Sequence, residues 1–207
     1  MKRTFCGRNI SSSHSLRSVL PEIVERKRSP SPIRIWVIPV ASGEEAYSIA
    51  MYLLEEWPDI SRWDVELVAS DIDTDRLAQA RGGWYSARSV QYVPPQWLEK
   101  YFEPVGAGYQ ICETLRQSVE FTRVNLLDPR EAGDYRGFDV IFCRNLLIYF
   151  ADRSRRLAAE TLYDALKPGG YVYLGHAESM SRISPLFRVR RFPEAIVYQR
   201  PWEGQEE

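Results

Sequence analysis

The sequence predicts an α/β chain built on a doubly wound, mostly parallel sheet with a small β insertion and a C-terminal antiparallel hairpin. Three observations carry that expectation. The short apolar runs "IRIWVI" (33–38) and "FDVIFC" (138–143) read as parallel strands buried on both faces. Strand-like and helix-like segments alternate as βαβα, which places helices on both sides of one open sheet. A chain of 207 residues, 44% of them apolar, is long enough for one sizeable core and short for two.

Taken in order, residues 1–32 form an N-terminal segment and helix, and residues 33–207 form the main domain. The first dozen residues are polar and irregular; Leu16, Val19, Leu20, Ile23 and Val24 then recur at helical spacing, with a kink expected at Pro21. "RKRSPSP" closes the segment as a charged, proline-rich linker. After the first strand a helix of about four turns runs through Glu56. "WDVELVAS" (63–70) is the second strand, and "DTDRLAQAR" opens a second helix with Asp or Thr to cap it.

Between 84 and 118 the alternation breaks. "SVQYVPPQWLEKYF" reads as a loop leading into a short helix begun by its prolines, and "GYQIC" and "SVEFTRVN" as strands around a turn, giving a β insertion over about 85–123. The main pattern resumes at 138–143. A helix from Asp152 to Leu166 ends at "KPGG", "YVYLG" follows as a strand, and "LFRVRRF" and "AIVYQR" pair around Pro193 as an edge hairpin.

Composition narrows the function. Twenty-seven basic residues nearly balance twenty-eight acidic ones, so no global field recruits nucleic acid or an anionic membrane. Cys6, Cys112 and Cys143 are odd in number, far apart and without metal spacing, which suits a reducing compartment and a cytoplasmic location. No apolar run reaches the roughly 18 residues of a membrane span, and the first residues lack the apolar stretch of a secretory signal. His14 and His176 are too few for a multi-histidine metal site, and no metal is expected. His176 with Ser179 lacks a G-x-S-x-G elbow and reads as structural.

Ligands of doubly wound sheets sit at the carboxyl ends of the strands. Four stretches fall there: Ser42 to Glu45, Ser70 to Asp73, Asn125 to Asp128, and Arg144 with Asn145. Glu44 and Glu45 stand in the first turn of a helix, where a diphosphate would meet like charges and a cation would be welcome. Ser42 and Glu45 also fit an S-x-x-E capping box, and the two roles are compatible. Asp71 stands where such folds grip ribose hydroxyls; capping of the next helix by Asp71 or Asp73 is the plainer alternative. A site that takes a ribose and a positive charge but no phosphate matches S-adenosylmethionine. Arg144 and Asn145 leave a strand too apolar to be anything but interior, so they must face solvent or a ligand. Tyr149 follows one turn later, as a site residue or a core aromatic.

The segments "SGEEAYSIAMYLLEE", "ASDIDTDRLAQARGGWYSARSV", "VEFTRVNLLD", "FDVIFCRNLLIYF" and "LKPGGYVYLGHAES", in this order, resemble the catalytic domain of the CheR-type chemotaxis-receptor glutamate methyltransferases. The likeness covers nearly all of 33–200. It implies a Rossmann-like class I methyltransferase fold, S-adenosylmethionine as donor and a receptor glutamate as acceptor. It also implies cofactor contacts at Glu45, Asp71, Asn125, Leu126, Arg144 and Asn145. "TFCGR" resembles the family's Thr-x-Phe-Phe-Arg element, so Thr4 and Arg8 are expected at the cofactor, with Arg8 holding the acceptor carboxylate and Tyr149 shaping the methyl channel. Cys6 and Gly7 replace the two aromatics, and "PVAS" replaces the family's Ser/Thr-rich loop before "GEE".

The partners implied are the cytoplasmic helices of chemotaxis receptors, with no nucleic acid and no membrane insertion. Members of the family carry a helical receptor-docking domain, and this chain begins almost at the catalytic domain, so docking is expected to be weaker or supplied by another protein. The β insertion is short between Phe102 and Leu115, which implies independence from a tethering peptide. The rival reading is a degenerate cofactor-binding or inactive signalling adaptor. A methyltransferase acting on small molecules or nucleic acid is a third, opposed by the absence of an Asn-Pro-Pro-Tyr motif.

Overall fold

The structure, a computed structural model, describes residues 15–27 and 31–202. Its elements in chain order are α1 (Leu16–Arg26), β1 (Ile33–Val37), α2 (Glu44–Glu56), β2 (Val65–Asp71), α3 (Thr74–Gly82), β3 (Trp84–Ser86), α4 (Ala87–Val90), α5 (Pro95–Tyr101) and β4 (Phe102–Val105). There follow β5 (Gly108–Ile111), α6 (Glu113–Gln117), β6 (Val119–Arg123), α7 (Pro129–Ala132), β7 (Phe138–Cys143), α8 (Asp152–Ala165), β8 (Leu166–Leu174), β9 (Arg188–Phe192) and β10 (Ala195–Gln199).

Seven strands form the main sheet in the order β6-β2-β1-β7-β8-β10-β9. The pairs from β6 to β8 are parallel, while β10 runs antiparallel to β8 and β9 antiparallel to β10. The order reverses beside β1, whose Val37 is level with Ala69 on one side and Phe142 on the other, so the exits of β1, β2 and β7 open at one sheet edge.

β1 shows why its apolar run is unbroken. Ile33, Ile35 and Val37 point into the core under α1 and α2, while Trp36 and Ile38 point into the core under α8. On the second face Trp36 stacks on Tyr135 and Phe138, and its Nε1 donates to Ser70 Oγ at 2.8 Å. Leu16, Val19, Leu20 and Ile23 of α1 are fully or almost fully buried in the first core, so this helix is part of the sheet's own packing. It is fastened there by the Tyr173 hydroxyl, which donates to Ser15 O at 2.9 Å, and by Glu22, which accepts from Arg190 at 2.8 Å and from the Tyr171 hydroxyl. Pro21 lies inside α1, which continues past it.

Two expectations need correction. The insertion is a three-stranded antiparallel sheet, β3-β5-β4, and does not extend to residue 123: "VEFTR" is β6, paired in parallel with β2, and the segment joining β5 to β6 is helix α6. Val119 and Phe121 alternate with polar residues because β6 is the edge strand of the main sheet, with Phe121 packed against Tyr47 of α2. Likewise "KPGG" does not separate α8 from a later strand. It lies inside β8 as an irregularity, the register jumping from Phe138↔Leu166 to Val140↔Tyr171.

Candidate functional site

The loop leaving β1 passes through a cis Ile38–Pro39 peptide, Ala41 at φ 51° and Gly43 at φ 95°. Gly43 is the N-cap of α2 in the left-handed region, and a Cβ there would lie 2.8 Å from the Tyr85 hydroxyl oxygen. That hydroxyl donates to Ser42 O at 2.6 Å. Burial, then the charge of Glu44, pushes the Tyr85 phenol well above its ordinary range, so it stays a donor. The expected capping box is therefore not formed. Gly43 takes the cap position and Ser42 Oγ donates to Glu44 Oε2 at 2.8 Å, which frees Glu45 to turn inward.

Glu45 meets Arg144 there, Nη1 to Oε1 at 2.5 Å, with both side chains under a tenth exposed. The Arg144 charge is thus mostly buried, and an acid from the neighbouring helix neutralises it. Of the two acids that the sequence offered as caps, Asp73 takes that role and Asp71 does not. Asp73 caps α3, accepting from Asp75 N at 2.9 Å and Arg76 N at 3.1 Å. Asp71 instead lies at the end of β2 with one oxygen on Ala41 N at 2.8 Å and the other on Asp73 N at 3.1 Å, tying the β1 and β2 loops together. Each oxygen keeps a second lone-pair direction for a ligand hydroxyl.

A crevice of about 630 Å³ lies at these exits. Its walls are Pro39, Ala41, Ser42 and Glu44 after β1, Asp71, Asp73 and Arg76 after β2, Ser86, Arg88 and Ser89 around α4, and Asn145, Leu146 and Tyr149 after β7. Of the expected site residues, Asp71, Asn145 and Tyr149 line it. Tyr149 is 75% exposed, which excludes the core-aromatic alternative. Glu45 and Arg144 are joined to each other and line no part of it; Arg144 borders a second cavity of about 360 Å³, behind the β7 exit, with Gly175, His176 and Glu178. Asn125 and Leu126 also lie off the crevice. Asn125 Oδ1 accepts Leu127 N at 3.0 Å, its own N–H donates to Glu131 at 2.8 Å, and Leu126 is buried with Trp36 in the second core. Thr4 and Arg8 lie outside the described residues.

Sequence reading missed Arg76, Arg88 and the serines at 86 and 89. Arg88 belongs to a four-residue helix at the mouth of the insertion, and only the fold shows that this helix leans over the strand ends. Glu44, not Glu45, is the acid facing the crevice, because the helix begins at Gly43 instead of Ser42.

Three carboxylates and two guanidinium groups line the crevice, with Asp71 nearly buried at its floor. The donor set suits a ligand that combines hydroxyls with positive charge. Its size is that of a cofactor pocket, and S-adenosylmethionine fits on both counts. Among the described residues no cluster of three or more His, Cys, Asp or Glu side chains is placed to hold a metal, and no helix is long and apolar enough to cross a membrane.

Residues 4–196 match the family profile described as "CheR methyltransferase, SAM binding domain". The chain is 49% identical to "Chemotaxis protein methyltransferase 2" of Vibrio cholerae over 207 residues, 99% of this chain and 72% of that protein. It is 32% identical to "Chemotaxis protein methyltransferase 1" of Pseudomonas aeruginosa over 186 residues, 87% of this chain and 67% of that one. Among solved structures it is similar in fold to the CurJ carbon methyltransferase, with TM-score 0.55 and 14% identity over 91% of this chain and 54% of that chain. The DszA carbon methyltransferase gives TM-score 0.53 and 17% identity over 80% and 34%.

Proposed function

The chain belongs to the CheR methyltransferase family, and from that premise we propose that the crevice at the β1, β2 and β7 exits binds S-adenosylmethionine for methylation of glutamate side chains on chemotaxis receptors. The observation that carries the site assignment is Asp71: a carboxylate nearly buried at the crevice floor, anchored by two backbone N–H groups and still able to accept from ribose hydroxyls. Glu44 adds negative charge toward the cationic end of such a cofactor, and Asn145 closes the β7 side. Glu45 and Arg144, expected as direct contacts, act in this reading from behind, as the ion pair that sets the β7 exit against α2.

Bound S-adenosylmethionine supplies a methyl group activated by its sulfonium. The acceptor carboxylate, with a reference pKa of about 4.3, is ionised near neutral pH, so no residue has to act as a strong base. The chain's own contribution is alignment and exclusion of water, worth on the order of several kcal/mol when the reacting groups are held in line. Tyr149, standing out from the crevice rim, guides the acceptor toward the methyl group, and Arg8 holds its carboxylate. The catalytic unit is 33–207 together with the N-terminal segment that supplies Arg8 and with α1 as a buttress, and the acceptors are receptor helices on the cytoplasmic side, engaged without a tethering peptide. No observation favours an adaptor.

The test is transfer of labelled methyl from S-adenosylmethionine to a receptor cytoplasmic fragment. Base-labile label on the receptor is expected, as for a carboxyl ester. Cofactor binding by calorimetry with no base-labile label would overturn the proposal in favour of the adaptor.

A further inference from the structure

Glu178 lies on the turn after β8 and lines the smaller cavity behind the β7 exit, not the crevice. Its Oε2 accepts the backbone N–H of Asn145 at 2.8 Å and of Gly175 at 2.7 Å. Its Oε1 accepts Leu147 N–H at 2.7 Å and Ile148 N–H at 3.3 Å. The opposite polarity of the same segment is taken by Arg155 of α8, whose Nε donates to Leu147 O at 3.1 Å and Nη2 to Phe150 O at 2.8 Å. A carboxylate thus gathers the N–H groups and a guanidinium the carbonyls of the stretch that presents Asn145 and Tyr149 to the crevice. Hydrogen bonds to ionised groups are the strong ones.

Two further features show that this bracket is built. Asn145 stands at φ 58°, a left-handed conformation uncommon outside glycine that asparagine tolerates better than most residues. Gly175 leaves the space for it: a Cβ there would lie 2.5 Å from Asn145 Oδ1 and 2.7 Å from Glu178 Oε2.

We propose that Glu178 is the positioning residue of the β7 wall: it sets Asn145 and Tyr149 for cofactor and acceptor while touching neither, with Arg155 as its counterpart on the carbonyl side. The inference rests on the methyltransferase reading of the crevice.

The test compares the wild-type chain with Glu178→Ala, Glu178→Gln and Arg155→Ala. Backbone amide exchange is measured without ligand, S-adenosylmethionine affinity by calorimetry, and kcat and KM with a receptor fragment. In Glu178→Ala the amides of Asn145 and Leu147 exchange at least about tenfold faster, those of β1 and β7 are unchanged, and affinity and kcat/KM fall by about tenfold or more. Glutamine, which keeps the shape and one acceptor oxygen, recovers part of each loss, and Arg155→Ala loosens the same segment. Wild-type exchange in the alanine variant overturns the proposal, as does a loosened segment with wild-type affinity and kcat/KM. Should the alanine variant not fold, wild-type exchange and affinity in the glutamine variant overturn it. A wild-type chain that transfers no methyl sinks the functional reading instead, while exchange and calorimetry still decide the role of Glu178.

Discussion

Arg144 and Glu45 make the costliest electrostatic commitment in the site: both charges are removed from water, and each tolerates this because the other is 2.5 Å away. Arg144→Ala would leave the Glu45 carboxylate buried without its ion-pair partner. A loss of about 3–5 kcal/mol is expected in urea denaturation, and the double change Glu45→Gln with Arg144→Met should cost clearly less than Arg144→Ala alone. Asp71→Asn tests the crevice itself. The amide would turn an N–H toward one of the two backbone N–H groups that now bind the carboxylate, so a good acceptor is lost along with the charge. Affinity for S-adenosylmethionine should fall by about 10- to 100-fold in calorimetry, the equivalent of one charged hydrogen bond. The sequence pointed to acids at both strand exits, and the fold brings Glu44 and Asp71 to the crevice. Which of two adjacent glutamates lines the crevice turned on a single step of helix register, set by the contact of Gly43 with Tyr85, 42 residues away in the chain, a long-range fact no local motif carries.

Among the elements, α7 and the β6 exit offer a test in acid. The Glu131 carboxyl is held below its usual range, first by the Asn125 backbone N–H and then by Arg123. A carboxylate lowered in this way stabilises the fold above its unfolded pKa of about 4.3, and the contribution disappears as pH falls through the folded value. Glu131→Gln should therefore be less stable than wild type at neutral pH, and the difference should close below about pH 4; a constant gap across the titration would contradict the assignment. The strands β1 and β7 were readable because both faces are covered, which leaves an apolar run with no alternation. β6 was misplaced because an edge strand of a parallel sheet alternates like an antiparallel one, and only pairing, which is non-local, separates them. The bracket of Glu178 and Arg155 was illegible for the same reason, its donors and acceptors lying 30 or more and 5 to 8 residues apart, most of them in the backbone.

At the scale of the whole molecule, burial makes a set of core tyrosines resist ionisation. The phenols of Tyr101 and Tyr171 are pushed up to about 12, first by burial and then by their hydrogen bonds to Glu55 and Glu22, and those of Tyr47 and Tyr173 are also raised by burial. An unfolded chain releases these protons near pH 10, so the folded state keeps its advantage below that value and loses it as pH rises toward about 12. The tyrosinate absorbance contributed by these buried phenols should rise together with the loss of circular dichroism in one alkaline transition. Tyrosinate appearing in full near pH 10 with the dichroism intact would show the phenols to be accessible.

The fastening of α1 has a consequence for biosynthesis. Its partners Tyr171, Tyr173 and Arg190 lie 149 to 168 residues downstream. At translation rates of about 5–20 residues per second, the apolar stripe of Leu16, Val19, Leu20 and Ile23 must wait roughly ten to thirty seconds for the strands that cover it. A nascent chain stalled before β8 is made would carry that stripe uncovered, so this helix is a natural place for a chaperone to hold.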